Sequence, residues 1–446
     1  MVYVSLSGIL LAITLFIILC YRGIPVTVSA LLLSFLVWLF SVGCADALSF
    51  DEVAALFASG ATNIIGKYLL LFMFSALFGS LVTYTGIASA LGRAYERLVL
   101  KAPKKVQKLL AVALVPFLNA IFVYAGISVY VAVFAVMAVA KDLFKRMDLP
   151  WHLYSLSMVG SGTFASMALP GSASITNLTP IPYTGTTAAP APVFSIIISI
   201  ECLVLGVLYM QYAIRRSERK NEGFLPSGAE IDKADVYKER ELPPVFLPLA
   251  IALMALPVVL MNIFKFSIVS ALFLSDIVFL AVYHRRLTLE TGKTAIVNGL
   301  VSGIGPTMTF ALMSGFAYVL LQTPGFQLVF RMLLALPITP YLKIVGMVGV
   351  VGFLMGNYNA TVPASMEMLG HDFLATCGVP MGIVHRLISI SSLFAISPHN
   401  SALCNSLSVV KLNHKQTYIN YFVIGPVLGV ILVISAVILI KLGITY

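Results

Sequence analysis

Two short stretches of this chain carry the same polar pattern. Residues 170–177 read PGSASITN and residues 398–405 read PHNSALCN. Each has a proline, then small and hydroxyl-bearing residues, then an asparagine seven positions on. Ser172, Ser174, Thr176 and Asn177 in the first, and His399, Asn400 and Ser401 in the second, supply neutral hydrogen-bonding groups with no Lys, Asp or Glu among them. Such groups can replace the hydration shell of a small anion, or serve as hard oxygen ligands for a small cation. The second stretch follows the first by 228 residues (170 to 398) in a chain of 446. Two copies of one polar loop at equivalent places in two halves are the trace of an internal repeat.

A third polar cluster, GNYNATVPAS at 356–365, places Asn357, Asn359 and Thr361 between Gly356 and Pro363. Its counterpart by position in the first half is LNAIFVYAG, with Asn119 and Tyr124. Both clusters either line a cavity beside the polar loops or tie neighbouring helices together. Arg386, in the apolar stretch VPMGIVHRLISIS, would hold a carboxylate through two parallel hydrogen bonds if buried, or snorkel to the headgroups if near a helix start. His399 is the one side chain of the two loops that titrates in the physiological range, which makes it the first candidate for carrying a coupling proton. Glu201 and Asp276 are carboxylates at membrane depth, of which Glu201 is the second proton candidate; a scaffold role is the alternative for both.

The setting of these residues is almost wholly apolar. Hydrophobic side chains make up 60% and charged ones 10% of the chain, and the mean hydropathy of +0.99 excludes an ordinary soluble domain. Several runs reach the roughly 20 residues that cross a bilayer core, giving spans near 3–20, 25–43, 62–90, 108–141, 151–168, 190–214, 244–264, 266–283, 300–321, 341–358, 380–396 and 418–442. Residues 1–20 read as a retained helix because the start lacks a basic region. The shorter mixed stretches Phe50–Gly60 and Leu287–Val301 read as helices lying on the interface. The net charge of +10 comes from Lys and Arg in the gaps between spans, as at Arg93–Lys108, which is the positive-inside pattern and no sign of nucleic acid. The five cysteines have no C-x-x-C spacing and read as packing residues. One hydrophilic stretch, 215–243, divides a first membrane unit (1–214) from a second (244–446), and it reads as a cytoplasmic linker. No soluble domain remains to carry separate chemistry.

Pro170, Pro180, Pro182, Pro190 and Pro192 prevent a continuous helix around the first loop. In lipid an unwound backbone costs several kcal/mol per unpaired group, so such a stretch lines a cavity inside the protein or lies outside the membrane. The uncharged composition of both loops suits the tip of a re-entrant hairpin.

TFASMALPGSASITNLTPIPYTGTTAAPAPV, followed more than two hundred residues later by HRLISISSLFAISPHNSALCNSLSVVKLNHKQTY, resembles the gluconate:proton symporter (GntP) family of permeases. The resemblance implies an all-α polytopic protein of two inverted repeats with re-entrant hairpins, a dimerising scaffold and an elevator-type transport domain. It implies proton-coupled symport of a small organic anion, gluconate-like or a hydroxy or short-chain carboxylate, across a bacterial inner membrane by a homodimer without a cofactor or metal. Relatives carry an acidic residue where this chain has NAIFVYAGISVY, and an Asn-Asp pair where it has Pro398, His399 and Asn400, so gluconate itself stays open beside simpler carboxylates. Sodium coupling is the alternative, since Ser, Thr, Asn and unwound carbonyls also suit Na+. An anion channel and an intramembrane hydrolase built on Ser161 and His152 are the remaining classes; the last has neither persuasive spacing nor a metal motif.

Overall fold

Apolar runs have one way to pair their amides within a single segment in lipid, and the chain takes it. Helices follow one another from Val2 to Lys441 with no strand among the described residues. The computed structural model describes residues 2–44, 47–124, 129–172, 174–233, 247–264, 266–285 and 287–446. Six helices are long and apolar enough to cross a membrane: Val2–Tyr21, Phe50–Tyr84, Lys104–Tyr124, Pro192–Arg219, Leu289–Leu321 and His414–Lys441. Shorter apolar helices such as Val26–Ser41, Ile268–Tyr283 and Pro340–Met355 lie among them.

Two expectations about the interface fail. Phe50–Gly60 is the first part of one 35-residue helix, Phe50–Tyr84. Ser49 starts it with a reciprocal cap, its hydroxyl accepting from the Glu52 amide while the Glu52 carboxylate accepts from the Ser49 amide. Leu289–Ser302 likewise runs on into Ile304–Leu321. Neither junction holds a proline or a left-handed residue that would end a helix, so mixed polarity alone does not.

The order of elements from Val2 to Arg219 recurs from Leu247 to Lys441. Each series has two helices, a long helix, a short amphipathic one, a pair of helices packed together, an interrupted helix and a long closing helix. Packing across the series is reciprocal. Val26–Ser41 lies on Ile304–Leu321 as Ile268–Tyr283 lies on Phe50–Tyr84. Val2–Tyr21 lies on Pro324–Ala335 as Leu247–Asn262 lies on Ile87–Leu100. Of the hydrophilic stretch, Arg215–Arg219 still belongs to the preceding helix, and residues 220–233 fold back on the bundle. There Asp148 accepts from the Phe224 amide at 2.8 Å and Lys145 pairs with Asp232. Residues 234–243 lie outside the described residues.

Pro340–Met355 and Tyr358–Thr376 pack along each other, as do Lys104–Tyr124 and Val129–Arg146; each pair forms a helical hairpin, the later one in the chain turning at Gly356. The loops 170–177 and 398–405 interrupt the helical order between Val159–Ala168 and Ile175–Leu178 and between Ser392–Ala395 and Ser401–Val410. Pro170 and Pro398 stop the preceding segments. Beyond the first loop the chain returns along its own path, with Pro192–Arg219 packed on Val159–Ala168.

Candidate functional site

The first break is held by side chains, as an unwound backbone in a dry interior requires. Trp151–Ala168 ends in wide turns, and Thr163 bonds back to Met158 and Val159. Beyond it Ser174 and Thr176 donate to the Ser166 carbonyl, each at 2.9 Å. The Ser172 hydroxyl accepts from the Ser174 amide at 3.2 Å. Asn177 donates to the carbonyls of Ser172 and Ala188 at 2.9 and 2.7 Å. All four predicted residues are buried and converge on one turn.

Arg386 enters this break from the second half of the chain. It is wholly buried, so it does not snorkel. Its terminal nitrogens donate to the carbonyls of Met167 and Ala168, both at 2.6 Å, and to the Asn177 side-chain oxygen at 2.8 Å. Those two carbonyls are the last of a helical segment, where a cation is favoured. Arg386 is thus not a free two-pronged clamp; its fork already closes the first break, and Nε alone has no partner among the described residues. No carboxylate pairs with it among the described residues. The neighbouring His385 Nδ1 and the Thr186 hydroxyl share a hydrogen bond at 2.7 Å, and Ser389 donates to the Thr176 carbonyl at 3.3 Å, so one face of the Met381–Ser391 helix holds the first break.

The second break follows the same logic with different atoms. Asn400 caps Ser401–Val410 by accepting from the Leu403 amide at 2.9 Å, and donates to the Ala395 carbonyl at 2.8 Å. The Ser401 amide donates to the Gly356 carbonyl at 2.8 Å. Its hydroxyl meets the Tyr130 hydroxyl at 2.7 Å. His399 is buried, stacks on Phe16 with ring centres 5.2 Å apart, and reaches the Leu354 carbonyl through Nε2 at 3.3 Å. Nδ1 has no partner among the described residues.

Each hairpin turn touches the breaks. Gly356, at φ +56°, lies so close to His399 that a Cβ there would meet the ring at 2.4 Å. A Cβ at Gly171, at φ +79°, would meet the Tyr124 hydroxyl at 2.9 Å. The first hairpin therefore leans on the first break through Tyr124 and on the second through Tyr130, only six residues apart. The second leans on the second break through Gly356, while its Tyr358–Thr376 helix packs on Ile175–Leu178 and Ile181–Thr184 beyond the first. Asn357 and Thr361 are buried at this turn, with Thr361 donating to the Asn357 carbonyl at 2.7 Å. The side chain of Asn359 and all of Ser128 lie outside the described residues.

Other candidates stand apart. Glu201 accepts from Ser435 at 2.7 Å between the two closing helices. Asp276 is buried with neither carboxylate oxygen partnered among the described residues. Ser161 donates to the Ser157 carbonyl and His152 contacts Ser217 and Glu222, so no Ser–His nucleophile is assembled from that pair.

Tyr130 is what the sequence did not point to, and it meets Asn405, the asparagine that closes the second motif. Asn405 donates to the Tyr130 carbonyl at 3.3 Å, and its side-chain oxygen is buried without a partner among the described residues. The tyrosine pair in VYAGISVY was the available signal: aromatic hydroxyls flanking glycine and serine inside an apolar run. A cavity of about 560 Å³ lies away from the breaks. It runs between Phe50–Tyr84 and Leu289–Leu321 on one side and Val129–Arg146 and Ser401–Val410 on the other, from Lys141 and Lys411 inward to Phe134. Tyr130 is one helical turn beyond Phe134.

A family model described as GntP family permease matches residues 4–282, more than half of the chain. The chain is also 26% identical over 462 aligned positions to the uncharacterized transporter YxjC of Bacillus subtilis (strain 168), covering 93% of this chain and 94% of that protein. With two interrupted helices enclosed in an apolar helical bundle, the chain belongs to the GntP family of permeases and is a multi-pass membrane transporter.

Proposed function

We propose that the protein is a proton-coupled symporter of a small organic anion, gluconate-like or a hydroxy or short-chain carboxylate, bound where the two breaks and two hairpin turns meet. One observation carries this reading. Arg386 brings a full positive charge into a buried shell of neutral oxygens with no protein carboxylate to balance it. A buried unpaired charge is costly, and an anionic substrate supplies the missing counter-charge as it binds. Arg386 acts through the field it sets and through Nε, while Ser172, Ser174, Thr176 and Asn177 shape the first wall. His399, Asn400, Ser401, Asn357 and Thr361 form the second, with the N-terminus of Ser401–Val410 favouring negative charge.

The reciprocal packing supports two inverted repeats of a shared plan, with Phe50–Tyr84 and Leu289–Leu321 as scaffold and the hairpins with the broken helices as the part that moves. The crevice from Lys141 and Lys411 toward Tyr130 then belongs to a state open on the linker side, which the basic loops place in the cytoplasm. His399 is the proton carrier, because it packs against the hairpin turn at Gly356 and keeps one ring nitrogen without a partner among the described residues, whereas Glu201 is engaged by Ser435. A homodimer in a bacterial inner membrane, with the scaffold at its interface, completes the proposal.

The test is uptake of labelled gluconate and shorter hydroxy acids by sodium-free proteoliposomes under an imposed pH gradient. Accumulation above equilibrium is expected. Accumulation only when sodium is supplied assigns coupling to Na+, and flux that never exceeds equilibrium makes the protein a channel.

A further inference from the structure

Cys20, Cys404 and His414 come from three separate helices, Val2–Tyr21, Ser401–Val410 and His414–Phe422, and meet beneath Pro398. Their ligand atoms all lie within 4.8 Å of one another, and all three residues are buried. Cys404 Sγ is 3.9 Å from His414 Nε2. The Pro398 carbonyl oxygen lies 2.7 Å from that Nε2 and 3.6 Å from that Sγ. Nothing in the transport site described above uses the two thiols. The geometry points to a site for a soft divalent cation, with Zn2+ as its type, held by Cys20, Cys404 and His414 and with the Pro398 carbonyl as the fourth donor.

The spacing fits. Zn–S bonds of about 2.3 Å and Zn–N bonds of about 2.0–2.1 Å set tetrahedral ligand atoms roughly 3.5–3.8 Å apart. The thiol and imidazole separations need contraction by about an ångström or less. The Pro398 oxygen must draw back from its 2.7 Å contact with His414 Nε2 by a little under an ångström. Both shifts are within reach of side-chain rotation. Charge fits as well. Zn2+ displaces both thiol protons to solvent, and two thiolates cancel the charge of the ion, so the filled site is neutral in surroundings that penalise net charge. His414 must present a bare Nε2, which moves its proton to Nδ1 and ends its hydrogen bond to Pro398. The site lies close below the surface: Cys20 is in the last turn of its helix, next to exposed Arg22 and Gly23, and His414 follows exposed Lys411 and Asn413.

The consequence is a tether. Pro398 precedes His399, and Phe16, one turn before Cys20, stacks on the His399 ring. A metal bridging Cys20 to Cys404 fixes the N-terminal helix to the second break at the place the proposed transport cycle must move. Slowed uptake at saturating Zn2+ follows, and this regulatory half rests on the transport reading, whereas the site itself is tested in detergent without transport.

Purified full-length protein is titrated with Co2+ as a spectroscopic stand-in, then with Zn2+ in competition. One Co2+ per chain with thiolate charge-transfer absorption, displaced by Zn2+, and binding weakened at least ten-fold in Cys20→Ser and His414→Gln, is the expected result. To cover variants that fail to fold, wild-type protein is alkylated with and without Zn2+ and each cysteine is read by mass spectrometry. Zn2+ shields Cys20 and Cys404 selectively, with Cys44, Cys202 and Cys377 as internal references. Absence of thiolate absorption, equal alkylation with and without Zn2+, or loss of both thiols to a Cys20–Cys404 disulfide with no metal taken up overturns the site. Unchanged uptake at saturating Zn2+ in protein shown to bind it overturns the regulatory role.

Discussion

Arg386 donates to the side-chain oxygen of Asn177 across 2.8 Å and 209 residues of sequence. That bond joins the helix leading to the second break with the floor of the first. Both breaks are therefore parts of one constructed centre, and the same guanidinium satisfies the last carbonyls of the Trp151–Ala168 segment.

Arg386→Gln removes three charge-assisted hydrogen bonds and leaves the Met167 and Ala168 carbonyls without their donor. Hydrogen bonds to charged groups are worth about 1.5–3 kcal/mol each, part of which the lost desolvation cost of the cation offsets. Expected is a clear drop in the thermal midpoint in detergent together with loss of carboxylate uptake. Arg386→Lys keeps the charge but cannot span three acceptors, and recovers only part of the stability.

Gly356→Ala should be among the most damaging single-methyl additions. Gly356 has φ +56°, and the added Cβ would meet His399 Cδ2 at 2.4 Å. Left-handed backbone strain of roughly 1–2 kcal/mol adds to the displacement of the His399 ring. Uptake should fall to background while the protein still inserts and purifies, which size-exclusion behaviour of the detergent-solubilised variant checks.

Tyr130→Phe isolates a single contact. It deletes the hydroxyl 2.7 Å from Ser401 and keeps the ring stacked on Phe310, 4.5 Å away between centres. A stability loss of about 1 kcal/mol is expected, with a rise in KM for the anion larger than that loss accounts for, because Ser401 lines the site. An unchanged KM removes Tyr130 from it.

His399→Gln and Glu201→Gln separate the two candidates for proton coupling. The first should abolish the response of uptake to an imposed pH gradient while counterflow exchange of labelled for unlabelled substrate persists. The second should leave the gradient response intact, because Glu201 is engaged by Ser435 between the two closing helices. The opposite pattern transfers the role to Glu201.

Much of this arrangement was legible in the residues. Paired PGSASITN and PHNSALCN stretches marked the two breaks because proline and small polar residues cannot extend an apolar helix. The reversal at Gly356 was not read from the residues, because a break in a helix and a turn between two helices use the same residue types. What separates them is the packing of Pro340–Met355 on Tyr358–Thr376, a long-range property absent from local composition. The engagement of Arg386 was hidden for a related reason: its acceptors, the carbonyls of Met167 and Ala168, are backbone atoms more than two hundred residues away and leave no side-chain signature. Cys20 and Cys404 gave no motif either, since a site assembled from three helices has no spacing to read.

The account stands on a buried positive charge that awaits a substrate anion. Calorimetric titration of purified wild-type protein with small hydroxy carboxylates, and with amides of the same carbon skeletons, tests this most directly because no variant and no gradient is needed. Binding of a carboxylate with at least ten-fold preference over its uncharged amide is the predicted result. Equal affinity for acid and amide, or binding of neither across sugar acids, hydroxy acids and short-chain acids, would contradict it.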